Sequence, residues 1–411
     1  MLNVIWVGFF LTAFAAGLYQ FLVNGQQDIF AVLIKAGFDS AKTAFEIALG
    51  LTGVMCLWLG VMRIGERAGF LVALARWLSP LFARVFPDVP KDHPALGSIT
   101  MNMAANMMGL DNAATPIGIR AMQELQELNP DKETASDAQI MFLVINASSV
   151  TLLPVTIFTY RAQMGALDPT DVFVPILMAT YCSTLAGFLF VAAVQRIRLD
   201  GVVLGWLGGL TLAVGGLAAW FLHLPAEQLT AQSSLLSNLL LLAVIAAFLV
   251  GALVKRVNAY EAFVEGAKDG FQTAVTIIPY LVAMLVAIGM LRASGALDVF
   301  MNGVRIVVTS IGWDPAWVDG LPTMLMKPLS GSGARTMMVE TMKTFGPDSF
   351  AGRLAAIVQG STETTFYVLA VYFGSIGIKR MRYAVAGGLV ADLAGMSGAV
   401  LFAYLFFGGS R

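Results

Sequence analysis

Apolar segments of about 20 residues recur along this chain from one end to the other, each long enough to cross a hydrocarbon core of about 30 Å. No other feature restricts the fold so strongly. Within lipid every backbone N–H and C=O must be paired inside the chain, so only helices or closed barrels span it. A barrel would show alternating segments of about 10 residues instead. Charged residues make up 12% of the chain and hydrophobic ones 58%, against about 25% charged in a soluble domain. The chain therefore reads as an all-α polytopic membrane protein whose first partner is the lipid bilayer. A net charge of −1 suggests no nucleic-acid partner.

The opening "MLNVIWVGFFLTAFAAGLYQ" has an apolar core but no basic region ahead of it. It reads as a retained first membrane helix rather than a signal peptide. Cys56 and Cys182 lie in apolar spans and form no disulfide or metal framework. His93 and His223 fall in loops, so no metal site is expected and no cofactor beyond a coupling H⁺ or Na⁺.

The chain also repeats itself. "GFDSAKTAFEIALGLTGVMCLWLGVMR" from Gly37 matches "GAKDGFQTAVTIIPYLVAMLVAIGMLR" from Gly266, an offset of 229 that pairs Gly60 with Gly289 and Arg63 with Arg292. "VINASSVTLLPVTIFTY" matches "IVQGSTETTFYVLAVYF" at an offset of 213, pairing Ser148 with Ser361 and Tyr160 with Phe373. The difference predicts an insertion in the first half, placed at Leu125–Gln139. Helices are expected at about 3–23, 40–62, 138–160 and 171–195, then at about 235–254, 271–291, 354–376 and 383–408. One further helix at about 201–222 joins the halves. Residues 1–198 then form a first repeat, 199–230 a linker and 231–411 a second repeat.

Four spans and one linking helix would invert the second repeat relative to the first. The distribution of basic residues tests this. With the N-terminus inside, Arg63, Arg67, Arg76, Arg84, Arg196, Arg198, Lys255, Arg256, Lys379, Arg380 and Arg382 all face the cytoplasm. Arg161 stands on the other side, at the place equivalent to Lys379–Arg382. The expected location is the bacterial cytoplasmic (inner) membrane, with a cytoplasmic N-terminus.

Four segments break the rules for a lipid-facing helix. Thr100–Gly118 carries Asn102, Asn106, Asp111 and Asn112 among Gly and Pro breakers. Met326–Thr336 carries Lys327, Ser330, Ser332 and Arg335. Ile145–Pro154 carries Asn146, Ser148, Ser149 and Thr151. "QGSTETTFYV" carries Gln359, Ser361, Thr362, Glu363 and Thr364. Charge at the bilayer centre costs about 2.5–3.5 kcal/mol on insertion scales. Uncoiled backbone is tolerated there only when buried in protein or lining a watery cavity. Gly-rich breaks in corresponding places of two inverted halves point to a carrier's midplane site. The bland alternatives are specific. Small residues line tight helix contacts, Asn102 and Asn106 share one face and could bond a neighbouring helix, and Arg335 with Glu363 could form a buried ion pair. Lys327 could sit at the water interface. The methionines around Asn102 read as packing, and Glu46 reads as an interfacial residue near a helix start. Asp392 is another intramembrane acid. Glu363, Asp392 and Thr151 are the candidates for the coupling ion, H⁺ or Na⁺.

At these motifs the chain resembles a known family. "TMNMAANMMGLDNAATPIGIRAMQELQ" and "INASSVTLLP" are similar to spore maturation protein A. "KPLSGSGA", "GPDSFAGRLAAIVQGSTETTFYVLAVYFGSIGIKRMRYA" and "ADLAG" are similar to spore maturation protein B. The match covers nearly the whole chain as a fusion of the two. Both belong to the group with a Gate, or nucleoside-recognition, domain, related to concentrative nucleoside transporters and the membrane part of the ferrous iron transporter B. The resemblance implies a carrier with inverted repeats and re-entrant helical hairpins, and supplies no substrate.

The residues favour a secondary transporter of a small polar or zwitterionic solute. Arg335 and Lys327 suit a carboxylate or phosphate; Glu363 and Asp111 suit an amine. Aromatic walls for a nucleoside would come from Phe366, Tyr367 and Phe158. The alternative is a channel or assembly partner with a permanent polar pore. No HExxH motif, Gly-x-Ser-x-Gly elbow or phosphate-loop lysine is present, so no enzyme is expected. Homo-oligomerisation stays open.

Overall fold

A computed structural model describes residues 2–148 and 151–408. The chain is helical throughout, and seven helices among the described residues are long and apolar enough to cross a membrane. It is a multi-pass membrane protein. The first half runs α1 (Leu2–Asn24), α2 (Ile29–Arg67), α3 (Phe70–Val85), α4 (Pro94–Met107), α5 (Asp111–Leu128), α6 (Asp137–Ala147), α7 (Val155–Gln163) and α8 (Phe173–Gln195). α9 (Gly201–Leu222) follows. The second half runs α10 (Ala226–Val254), α11 (Ala259–Ala293), α12 (Ala296–Ser310), a short 3₁₀ turn (Pro315–Gly320), α13 (Leu321–Met326), α14 (Gly331–Phe345), α15 (Phe350–Gly360), α16 (Thr365–Ile376) and α17 (Ala384–Phe407).

The order of elements recurs. A long helix (α2, α11) ends at a left-handed glycine, Gly69 with φ +87° or Gly295 with φ +72°. This conformation is open to glycine without a Cβ penalty. A short amphipathic helix follows, with Leu71, Ala75, Leu78, Phe82 and Val85 buried along one face of α3. Two pairs of shorter helices and a final long helix (α8, α17) complete each half. Local signals set the starts. Ser136 and Gln139 form a capping box at α6, and the Ser349 hydroxyl caps α15. The Asp200 carboxylate accepts from the N–H groups of Val202 and Val203 at α9.

Three expectations need correction. The helices foreseen at 138–160 and 354–376 are each broken into two, α6/α7 and α15/α16, because Ser, Thr, Gly and Pro in their middles do not sustain the ladder. The foreseen 40–62 helix starts much earlier, at Ile29, so Glu46 lies mid-helix. It is exposed, 3.8 Å from Lys42. The extra length of the first half is not one insertion at 125–139. It is spread over the α3–α4 connection (86–93 against 311–314), the longer α5, and the α5–α6 connection (129–136 against 346–349).

The breaks are of two kinds. α4 packs against α5, and α13 against α14, so each of these pairs folds back on itself. α6 and α7 make little contact with each other, as do α15 and α16.

The repeated long helices pack on one another. Gly60 meets Phe263, Gly270 meets the backbone of Met55 and Cys56, and Gly289 meets Ser40. Sequence numbers rise on one helix as they fall on the other, so α2 and α11 are antiparallel. The same holds for α8 and α17, where Gly187 meets Ala391 and Gly398 meets Cys182. A Cβ on Gly270 would stand 2.7 Å from the Met55 carbonyl oxygen and 2.8 Å from Cys56 Cα. Neither atom is the end of a flexible side chain, so Gly270→Ala must part the helices. The expected loss is about 1–3 kcal/mol, read as a lower melting temperature in detergent. An unchanged melting temperature would refute this contact.

Two loop clasps tie the halves together at opposite ends. At one, Arg161 is fully buried and bonds Asp171 (2.8 Å), Asp348 (3.1 Å) and the Pro347 carbonyl (2.7 Å). Arg353 shares Asp171 at 2.8 Å. At the other, Lys379, Arg380 and Arg382 pair with Glu133, Asp131 and Asp137, and the backbone of Arg380 exchanges bonds with Glu133 and Ala135. Arg161 and the Lys379–Arg382 group thus each anchor a clasp between the halves. In each half, the end of a broken helix holds the connection that precedes the partner half's broken helix.

Candidate functional site

The site is built where helices stop. α4 ends at Met107 and α5 starts at Asp111, across Gly109. Gly109 takes φ +71°, and a Cβ there would meet the Leu153 carbonyl oxygen at 2.7 Å. α13 gives way to α14 across Lys327–Ser330, where the Ser330 hydroxyl accepts from Gly333 N–H at 3.0 Å as the helix cap. α6 and α15 end at Ala147 and Gly360, and α7 and α16 resume at Val155 and Thr365.

The freed backbone of each break is taken up by another. Leu152 N–H donates to the Met107 carbonyl (2.9 Å), Phe366 N–H to Pro328 (3.0 Å) and Glu363 N–H to Ala147 (2.8 Å). The first two bonds join fold-back pair to broken helix within each half; the third joins the halves. Unpaired backbone groups are costly away from water, so four interruptions that satisfy one another form one unit.

Behind them lies an amide network. Asn106 Nδ2 donates to Asn146 Oδ1 (2.8 Å) and Asn102 Nδ2 to the Ala114 carbonyl (2.7 Å). Tyr372 hydroxyl donates to Asn146 Oδ1 (3.2 Å). It fastens α4, α5, α6 and α16. Asn102 and Asn146 are thereby structural as well as near the site, and the pairing of Asn102 with a neighbouring helix is realised.

In front lies a cavity of about 90 Å³ lined by Asn106, Thr151, Lys327, Arg335, Gln359 and Glu363. It thus gathers residues from all four polar segments. Through Gly109, Val155, Tyr160 and Arg335 it continues into a larger cavity of about 290 Å³. That one runs between α2 and α11 to a charged mouth, where Arg63 bonds Glu66 (2.8 Å) and Asp269 (2.7 Å).

The alternative of a buried ion pair between Arg335 and Glu363 is not realised among the described residues. Both line the same cavity, but Glu363 is exposed into it. Arg335 Nε is buried without a hydrogen-bond partner, and its guanidinium stands 5.8 Å from the centre of the Tyr160 ring. Gln359 Oε1 is likewise buried and unpartnered. Lys327 is only 3% exposed, so it belongs to the site and not to the water interface.

The other expected residues fall around this core. Ser332 bonds Ser330 at 3.2 Å. Thr364 is buried beside Gly331. Ser148, Ser361, Thr362 and Asp392 lie on the face toward α8 and α17. The Thr184 hydroxyl bonds the Ser148 carbonyl, and the Thr362 hydroxyl lies 2.6 Å from Asp392 Oδ1. Ser149 lies outside the described residues, as do the side chains of Asp111 and Asn112.

The aromatic walls are not those foreseen. Tyr367 is 57% exposed and turns away, while Phe158 is buried against Phe173 at 6.0 Å. Tyr160 lines both cavities instead. The repeat had aligned it with Phe373, and its place one turn past a Gly/Pro break was the available signal. Tyr372 was missed because a lone Tyr in an apolar run gives no sign of its partner.

A helical membrane scaffold whose interrupted segments meet from both halves defines the class. The chain belongs to the Gate family, described as nucleoside recognition, whose pattern matches residues 48–164 and 274–379, more than half of the chain. It is similar to spore maturation protein B of Bacillus subtilis (strain 168), 48% identical over 165 residues, 40% of this chain and 91% of that protein. It is similar to spore maturation protein A of the same organism, 40% identical over 190 residues, 46% of this chain and 93% of that protein. The two matches cover the chain in two parts. No solved structure matches it.

Proposed function

We propose that this protein is a secondary-active carrier of a small zwitterionic solute, bound in the polar cavity between two inverted repeats. The observation that carries the reading is the cavity's composition. A buried guanidinium nitrogen and an amide oxygen there lack partners, beside a buried ammonium and an exposed carboxylate. Unpaired buried polar groups cost about 1–3 kcal/mol each, and a solute with a carboxylate and an amine would pair them. An amino acid or short peptide has both; a nucleoside, which the family's description names, lacks the charges but offers hydrogen bonds.

The antiparallel packing of α2 on α11 and α8 on α17 supports inverted repeats, since each pair joins equivalent elements. On this reading residues 1–198 and 231–411 are the two repeats and 199–230, with α9, joins them. α4/α5 and α13/α14 are re-entrant hairpins, and α6/α7 and α15/α16 are crossings broken at mid-depth. The membrane is the bacterial inner membrane with the N-terminus in the cytoplasm. The larger cavity then opens inward past Arg63, so this conformation faces the cytoplasm. Alternating access closes that path and opens one at the Arg161 end.

The test is a melting-temperature screen of the purified protein against nucleosides, amino acids, dipeptides and polyamines. A ligand of the native state raises the melting temperature by mass action. An amino acid or dipeptide is expected to do so, and its uptake into proteoliposomes is expected to saturate. Stabilisation by nucleosides alone would overturn the zwitterion assignment. Flux that rises without saturation would make the protein a channel.

A further inference from the structure

The carboxylate of Asp392 sits on a part of the site that faces away from the solute cavity. It is 1% exposed and lies in α17 with Gly388 and Gly395 four residues before and three after, on one helical face. Those glycines admit close neighbours. Thr365 presses on Gly388, and a Cβ at Gly395 would stand 2.9 Å from the Ser361 carbonyl oxygen and 3.0 Å from Ser183 Cβ. The hydroxyls of Thr362 and Thr365 thus stand at the Asp392 carboxylate, and Ser183 with the Ser361 carbonyl lies at Gly395, one turn along the same face of α17.

Their hydrogen bonding is incomplete. Ser183 Oγ is buried without a partner, while the Thr365 hydroxyl faces the Asp392 carboxylate short of good hydrogen-bond geometry at Oδ2; both hydroxyl residues are 0% exposed. Thr362 Oγ1 lies 2.6 Å from Asp392 Oδ1 and 2.9 Å from the Ala147 carbonyl. One hydroxyl proton cannot serve two acceptors. The charged groups that act on Asp392 from neighbouring segments are Lys327 and Glu363, both at the solute cavity.

We propose that Asp392, Thr362, Thr365, Ser183 and the Ser361 carbonyl bind a dehydrated Na⁺ ion. A proton on Asp392 would satisfy the acid and leave Ser183 unpaired. A cation among these oxygens satisfies all of them and frees the Thr362 proton for Ala147. One carboxylate balances one charge, whereas calcium sites draw on several carboxylate and carbonyl oxygens. Freed carbonyls and helix ends hold coupling cations in broken-helix carriers. Thr362 and Ser361 belong to the break that also carries Glu363, so occupancy would set the shape of the solute cavity. As a coupling ion, the Na⁺ rests on the carrier reading; as a binding site it does not.

The experiment uses the full-length protein in detergent with no solute, so it stands apart from the solute screen. NaCl is exchanged for choline chloride at constant ionic strength and pH, and the melting temperature is recorded. It is expected to rise and saturate with NaCl, and to respond far less to KCl. Asp392→Asn should abolish the response. Thr365→Val and Ser183→Ala, which preserve shape, should raise the Na⁺ midpoint by about tenfold or more. They decide the matter if Asp392→Asn does not fold. No Na⁺ response in the parent protein, or midpoints unchanged in both hydroxyl variants, overturns the site. A melting temperature that follows pH but not Na⁺ makes Asp392 a proton site and equally overturns it.

Discussion

Replacing Arg335 with alanine is expected to abolish solute binding while leaving the protein folded. Among the described residues Arg335 pairs with no carboxylate; its guanidinium acts on Tyr160 and its Nε has no hydrogen-bond partner. Its removal therefore strands no buried carboxylate. On the proposed carrier reading the guanidinium pairs with an anionic group of the solute, and truncating one partner of such a pair costs about 2–5 kcal/mol. This corresponds to a loss of about 30- to several thousand-fold in affinity. The measurement is the ligand-induced melting shift of wild type and Arg335→Ala, with the melting temperature of each apoprotein as control. Glu363→Gln should lose the response to zwitterions by the same logic at the amine end. Normal binding in both variants would place the solute elsewhere.

Arg161→Ala is expected to cost about 2–4 kcal/mol of stability, because it leaves Asp171 to Arg353 alone and strips three backbone carbonyls of their donor. Arg161 is fully buried, Asp171 is 2% exposed at its side chain, and the guanidinium also bonds three backbone carbonyls. A cation of the other clasp behaves differently. Lys379 and Glu133 are 70% and 55% exposed, so Lys379→Ala should cost at most about 1 kcal/mol. The contrast is read from the two melting temperatures in one detergent. Equal losses would show that burial of the Arg161 cluster is not what distinguishes the two ends.

Much of this architecture was legible in the residues. The membrane helices stand out because burying apolar length in lipid demands runs of about 20 residues. The repeat was visible in the Gly37 and Gly266 blocks, and Gly60, Gly266, Gly270 and Gly289 within them prove to be close contacts of α2 with α11. The four polar segments were found for the reason that they are costly: Asn, Ser and charge do not persist in lipid without a partner. Less was legible at the centres of 138–160 and 354–376. There the apolar flanks suggested continuous helices, and only the bonds between breaks show how uncoiled backbone is sustained.

Side-chain partners were not legible at all. Arg335 and Glu363 could have been either an ion pair or two ends of a site, and only the fold shows that both line one cavity without pairing. Thr365 and Ser183 drew no notice in the sequence; only the packing of α17 sets them against Gly388 and Gly395, on the face that carries Asp392. By itself the sequence determined the membrane environment, the repeat, the family and the polar segments, since each is written in composition or period along one chain. The tertiary structure alone decided which breaks bond to which, where the cavity opens and which polar atoms lack partners. Those depend on contacts between residues more than 200 positions apart, such as Thr362 with Ala147, 215 positions away. No local pattern encodes such a contact.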